Sequence, residues 1–149
     1  MRLKKKIKKL NPFKRLRAKS AELKVGDVIY TPLYGIWRHY GIVTKENQTG
    51  DHTVRTVHKS VLAPIDQTLE KFSDGKRIYR ETTHPSDPEA AQRAYEETEF
   101  SYNLFLNNCE NFVRRAQGKK NVSMQVLAGL GTVGLTVALA IIRRRLPRI

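Results

Sequence analysis

Hydrophobic and polar positions alternate in one part of this chain, recur at three- and four-residue spacing in others, and near the C-terminus give way to an unbroken apolar run. Thr53 to His58 sets Val54, Thr56 and His58 on one face against Arg55 and Val57 on the other, the two-residue period of a strand. Upstream, Val28-Ile29-Tyr30 is a short apolar β run behind a Gly26-Asp27 turn. Tyr34 to Val43, dense in aromatic and β-branched residues, reads as a core strand. The polar stretch from Glu46 to Asp51, with Thr49-Gly50-Asp51 as a turn, makes it the antiparallel neighbour of Thr53–His58.

Downstream the period lengthens. Pro64 to Phe72 predicts a short helix or turn, Ser73-Asp74-Gly75 a turn, and Arg77–Tyr79 a short strand. Asp87-Pro88-Glu89 starts a helix: Asp87 caps, Pro88 fits the first turn, and Ala90, Ala94 and Tyr95 form its inward face. Behind Asn107-Asn108, Phe112, Val113 and Ala116 recur at helical spacing, and this second helix should end near Gly118.

The two ends differ in kind. Val126 to Ile142 is seventeen residues without a charge, about 25 Å of helix against a hydrocarbon core of about 30 Å. Ser123 to Gln125 extend it, and Arg143 to Arg145 stop it. Glycines 129, 131 and 134 are at home in membrane helices, and Gly134 with Ala138 makes a small-xxx-small face suited to self-association. The expectation is a single-pass membrane anchor over 123–142, the alternative a helix buried against the domain or a partner. At the N-terminus Leu3, Ile7 and Leu10 fall at helical spacing among lysines until Asn11-Pro12 breaks the pattern. The chain thus divides into a basic amphipathic or disordered segment (1–22), a folded domain (23–122), the anchoring helix (123–142) and a basic tail (143–149).

Charge sharpens that division. Of the net +14, residues 1–20 contribute ten Lys or Arg and residues 143–149 four Arg, with no acid in either; the remainder balances fourteen against fourteen. A nucleic-acid-binding domain carries its basic surface on the fold, whereas here the excess sits on appendages, as in a protein held to an anionic membrane. An RNA-binding N-terminal arm is the rival reading. Met1 to Ser20 has no apolar core of a secretory signal, and one cysteine gives no disulfide framework, so a reducing, cytoplasmic-side setting is expected for the domain.

That cysteine is the candidate chemistry. An unpaired Cys is a buried small hydrophobe, a spectator or a nucleophile. Cys109 falls in the first turn of its helix, where unpaired N–H groups favour a thiolate. His39 and His58 lie on the two adjacent strands, His52 at the loop edge and His84 in an exposed loop. One thiol with distant histidines is the general pattern of nucleophilic catalysis, and needs no metal or cofactor.

The pieces Lys24-Val25-Gly26-Asp27-Val28-Ile29, His39-Tyr40-Gly41-Ile42-Val43, Val57-His58, Tyr102-Asn103-Leu104-Phe105, Asn108-Cys109-Glu110-Asn111-Phe112 and Gly118 with Ser123-x-Gln125-Val126 resemble, in order, the lecithin:retinol acyltransferase-like family of the NlpC-type thiol hydrolases. The resemblance covers about residues 23–126. It implies an α+β, circularly permuted papain-like domain with an antiparallel sheet, its histidine strands preceding the cysteine helix. It also implies the roles: Cys109 as nucleophile, His39 as base, and His58 as the polar residue that orients His39, with His52 as the alternative. Asn111 departs from the family, which has His there. The activity implied is acyltransferase or phospholipase chemistry on a phospholipid or other acyl lipid through a thioester. The alternatives are an NlpC-type amidase or peptidase, or an inactive membrane-tethered scaffold.

Overall fold

The computed structural model describes residues 16–17, 22–34, 37–58, 60–98, 100–103 and 107–145, and the expected basic amphipathic or disordered segment over 1–22 lies outside them except at residues 16, 17 and 22. Six strands form one antiparallel sheet: β1 (Leu16–Arg17), β2 (Val28–Pro32), β3 (Arg38–Glu46), β4 (His52–His58), β5 (Ala63–Thr68) and β6 (Tyr79–Arg80), in the spatial order β1-β6-β2-β3-β4-β5. Among the described residues four helices accompany the sheet: α1 (Leu69–Ser73), α2 (Pro88–Glu96), α3 (Cys109–Ala116) and α4 (Met124–Arg145). An antiparallel sheet with helices packed on it is the α+β architecture expected.

Both faces of the central strands are covered, so β2 reads as a continuous apolar run rather than an alternating one. On one face Val28, Tyr30, Tyr40, Ile42 and Val57 meet Ala90 and Ala94 of α2 and Phe112, Val113 and Ala116 of α3. On the other, Ile29, Val43 and Val54 meet Leu23 and Phe72 of α1. Two glycines permit close approach. A Cβ on Gly26 would fall 2.2 Å from the Asp87 backbone, at φ +89°, so glycine there lets the start of α2 dock on the turn before β2. A Cβ on Gly41 would come within 2.9 Å of the Phe72 ring; its absence lets that ring lie on β3.

Three expectations are corrected. Pro64 to Thr68 is not helical: it belongs to β5, and the helix begins only at Leu69, capped by the Thr68 hydroxyl. β5 is the outer strand of the sheet, where the missing proline N–H does not break an inner ladder. The core strand opens at Arg38 rather than Tyr34 and runs on to Glu46. The single-pass anchor is not supported: among the described residues no helix is long and apolar enough to cross a membrane. Within α4 the charge-free stretch runs from Met124 to Ile142, nineteen residues, which at about 1.5 Å per residue falls just short of a hydrocarbon core of about 30 Å. Its side chains from Leu127 to Ala140 are largely exposed, and only its root is seated on the domain, where the Trp37 ring lies over Gly129.

Candidate active site

Cys109 is the first residue of α3, as its neighbours predict. The Asn108 side chain accepts from the N–H groups of Glu110 (2.9 Å) and Asn111 (3.1 Å), and the Asn111 side chain accepts in return from Asn108 N–H (3.3 Å). Asn111 therefore closes a reciprocal cap, with its side chain buried against the sheet.

The sulfur rests against the backbone of β3. Tyr40 N–H donates to Sγ at 3.5 Å, and the thiol faces the Arg38 carbonyl at 3.9 Å. This is possible because the β3–β4 ladder runs only from Glu46↔His52 down to Ile42↔Arg55, while β2 stays paired with β3 as far as Pro32↔Arg38. Below Ile42 the backbone ladder with β4 has ended, β4 reaches β3 only through the Thr56 hydroxyl on the Tyr40 carbonyl, and the N-terminus of α3 brings its sulfur to the Tyr40 N–H.

His39 lies on the same stretch of β3. Its ring stacks on Phe72 at 5.1 Å, the ring that Gly41 admits. Its Nε2 is 3.3 Å from the Thr56 hydroxyl, which itself donates to the Tyr40 carbonyl at 2.6 Å. With the hydroxyl proton so committed, Thr56 offers Nε2 only a lone pair. That assigns the ring proton to Nε2 and leaves Nδ1 as the basic nitrogen.

His39, His58 and Cys109 line one cavity of about 370 Å³, walled also by Thr31, Leu33, Tyr34, Val57, Phe72 and Tyr102, with Lys71, Asp74 and Lys76 at one side. His58 Nδ1 accepts from Ser60 N–H at 3.3 Å. His52 is elsewhere: it is buried at the other end of β4, about 20 Å away at ~3.3 Å per residue, with Nε2 3.1 Å from the Leu23 carbonyl. His84 lines separate depressions beside Lys119.

Burial pushes the Cys109 thiol up to about 11, with a further push from the Glu110 carboxylate. The Tyr40 N–H and the backbone N–H groups of Cys109 and Glu110 pull it back only in part. The helix start does favour the anion, as expected, but desolvation outweighs it. The resting thiol is protonated at neutral pH. Tyr40, buried beside it, is pushed up to about 12 by the same cause, with the Arg38 guanidinium opposing. Among the described residues no cluster of His, Cys, Asp or Glu is arranged to hold a metal ion.

Thr56 and Gln125 were not singled out for a role from sequence. Thr56 had a visible signal, because the alternation of β4 puts it on the face of His58. Gln125 sits at the edge of the apolar run, where its reach back to Arg38 leaves no local pattern.

No protein-family model matches the chain. It is similar to the mouse (Mus musculus) protein phospholipase A and acyltransferase 1, at 30% identity over 133 residues, covering 76% of this chain and 78% of the relative.

Proposed function

The chain belongs to the lecithin:retinol acyltransferase-like family, and from that premise we propose that it is a thiol acyltransferase and phospholipase acting on lipid acyl esters. Cys109 is the nucleophile and His39 the base. Because the resting thiol keeps its proton, transfer to His39 Nδ1 accompanies attack rather than preceding it. The sulfur adds to the ester carbonyl, and backbone N–H groups at the start of α3 stabilise the oxyanion, each such donor contributing about 10²-fold or more. Collapse expels the lysolipid alkoxide, which takes the proton from His39, and leaves a thioester on Cys109. Water or another acceptor then attacks with His39 again as base, releasing the thiol. His58 orients the imidazole from the cavity wall, and Thr56 fixes its tautomer.

The observation that supports this reading best is the shared cavity of Cys109, His39 and His58 with its largely apolar wall. The domain is residues 23–122 of a circularly permuted papain-like type, the basic residues at 1–22 and 143–149 attract an anionic lipid surface, and α4 binds that surface through Leu130, Val133, Leu135 and Leu139, each more than half exposed. Incubation with phosphatidylcholine vesicles followed by intact mass measurement should show an acyl increment on the wild-type chain and none on Cys109→Ala. A wild-type chain with neither adduct nor fatty-acid release would overturn the enzymatic reading. It would leave the inactive membrane-tethered scaffold, which a thiol raised above its ordinary value favours.

A further inference from the structure

Glu110 follows the nucleophile directly, yet its carboxylate faces the root of α4. It accepts from Ser123 Oγ (2.5 Å), Met124 N–H (3.0 Å), Gln125 N–H (3.2 Å) and Gln125 Nε2 (3.2 Å), and is only 5% exposed. A carboxylate at the N-terminus of a helix meets the unpaired donors of its first turn. The use made of the Gln125 side chain is less ordinary. Its Oε1 accepts from the Arg38 N–H, and its Nε2 donates to the Arg38 carbonyl at 3.3 Å.

Leu33 N–H donates to the Trp37 carbonyl toward β2, so the N–H of the same trans peptide, on Arg38, points to the opposite edge. That is the edge where the ladder with β4 has ended. A primary amide has one acceptor and one donor in the geometry of a peptide, so Gln125 pairs with Arg38 as a neighbouring strand would. The four residues close a ring: Cys109 is bonded to Glu110, Glu110 holds Gln125, Gln125 holds Arg38, and the Arg38 carbonyl faces Cys109 Sγ.

We propose that Gln125 is a positioning residue for the thiol: its amide replaces the missing β4 partner of Arg38 and holds the strand end against which Cys109 Sγ rests. The inference rests on Cys109 being the nucleophile. It assigns to the root of α4, outside the domain's sheet and its helices α1 to α3, a part in setting the register of Arg38 and Tyr40 against the sulfur. Without the clamp the end of β3 relaxes, and the Tyr40 N–H, the one donor from the sheet to the sulfur, drifts from it.

The chain has one cysteine, so alkylation by iodoacetamide reads this thiol alone and needs no lipid. The charged and titratable groups around the sulfur are Glu110 on α3, His39 and Tyr40 on β3, His58 on β4 and Tyr102; removing the Gln125 amide touches Glu110 alone among them, through the bond from Nε2 that it loses. Gln125→Met keeps the length and removes the amide. Its alkylation at pH 8 should slow about tenfold, the shift expected when a thiolate loses one backbone donor, and phospholipid turnover should lose kcat with KM unchanged. A merely structural role predicts the reverse, because a loosened domain exposes the thiol and alkylates faster. Ser123→Ala, which removes a bond to Glu110 and the acceptor of the Val126 N–H but leaves the Gln125 amide on Arg38, should lower stability and leave the alkylation rate at the wild-type value. If Gln125→Met fails to fold, Gln125→Asn, whose amide falls one methylene short of Arg38, decides by the same measurement. A wild-type or faster rate in the Gln125 variant, or an equal slowing in Ser123→Ala, overturns the proposal. Absence of an acyl adduct on the wild-type chain would instead overturn the function and leave the clamp to be judged on alkylation.

Discussion

At Ile42 and Val43, β3 has backbone on both sides: Val28 and Asp27 toward β2, Arg55 and Val54 toward β4. From Arg38 to Tyr40 its backbone pairs with β2 alone, and its other edge is served by side chains: a sulfur, an amide and the Thr56 hydroxyl of β4. The first half has fully buried apolar side chains on both faces. The second carries an arginine, a histidine and a tyrosine, and its histidine lines the cavity. One strand thus holds the sheet together at one end and leaves backbone groups for chemistry at the other. The price is that the open end must borrow its hydrogen bonds from side chains of α3, α4 and β4. Changes in the open half should act on rate, and changes in the closed half on stability.

The largest separation is expected between His39 and Val54. His39→Gln removes the base and should lower kcat by roughly 10²–10⁴-fold, with the thermal midpoint nearly unmoved. Val54→Ala, at a fully buried position of β4, should cost about 2 kcal/mol of stability through lost burial and a cavity, with kcat of the folded fraction unchanged. Steady-state turnover and urea unfolding on the same preparations test both. A His39 variant that is destabilised but fully active, or a Val54 variant that is stable and inactive, would break the division.

The second separation lies on β4, which carries a histidine at each end. His58→Gln, in the cavity, should lower kcat about tenfold if it orients the base, and leave unfolding unchanged. His52→Gln loses a buried hydrogen bond to the Leu23 carbonyl and should cost about 1 kcal/mol with wild-type turnover. The reverse pattern would place the orienting residue at the far end of the strand and separate it from the cavity.

What sequence could anticipate follows the same line. The closed half was legible because alternation and turn residues are local: Thr53–His58, the Thr49-Gly50-Asp51 turn and the Asp87 cap all stand where their neighbours put them. The cap on Cys109 was legible for the same reason. β5 was misread because Pro64 is a local signal against a strand, and only its place at the sheet edge overrides it. The open half was half legible. His39 and Cys109 were chosen by type and brought to one cavity, while the Thr56 contact with His39 and the Gln125 clamp are tertiary, 17 and 87 residues apart in sequence. The anchor expectation rested on counting uncharged residues, and among the described residues no helix is long and apolar enough to cross a membrane.

The smallest expected effect concerns the charge state of the open half. In the unfolded chain Cys109 titrates at about 8.5; in the folded chain burial holds it up to about 11. Between these values the unfolded state has already lost the proton that the folded state keeps. It binds fewer protons, so stability falls as pH rises across that window and is unaffected by this group below it. Tyr40, also pushed up, adds a slope of the same sign at higher pH, which Cys109→Ser leaves in place. Urea unfolding at pH 8 and pH 10 should therefore show the wild-type chain losing more stability than Cys109→Ser, by about 1 kcal/mol once the partial exposure of the thiol is allowed for. An equal or smaller loss in the wild type would mean that the folded state already favours the thiolate. The Tyr40 N–H and the start of α3 would then outweigh burial, and proton transfer to His39 would precede attack instead of accompanying it.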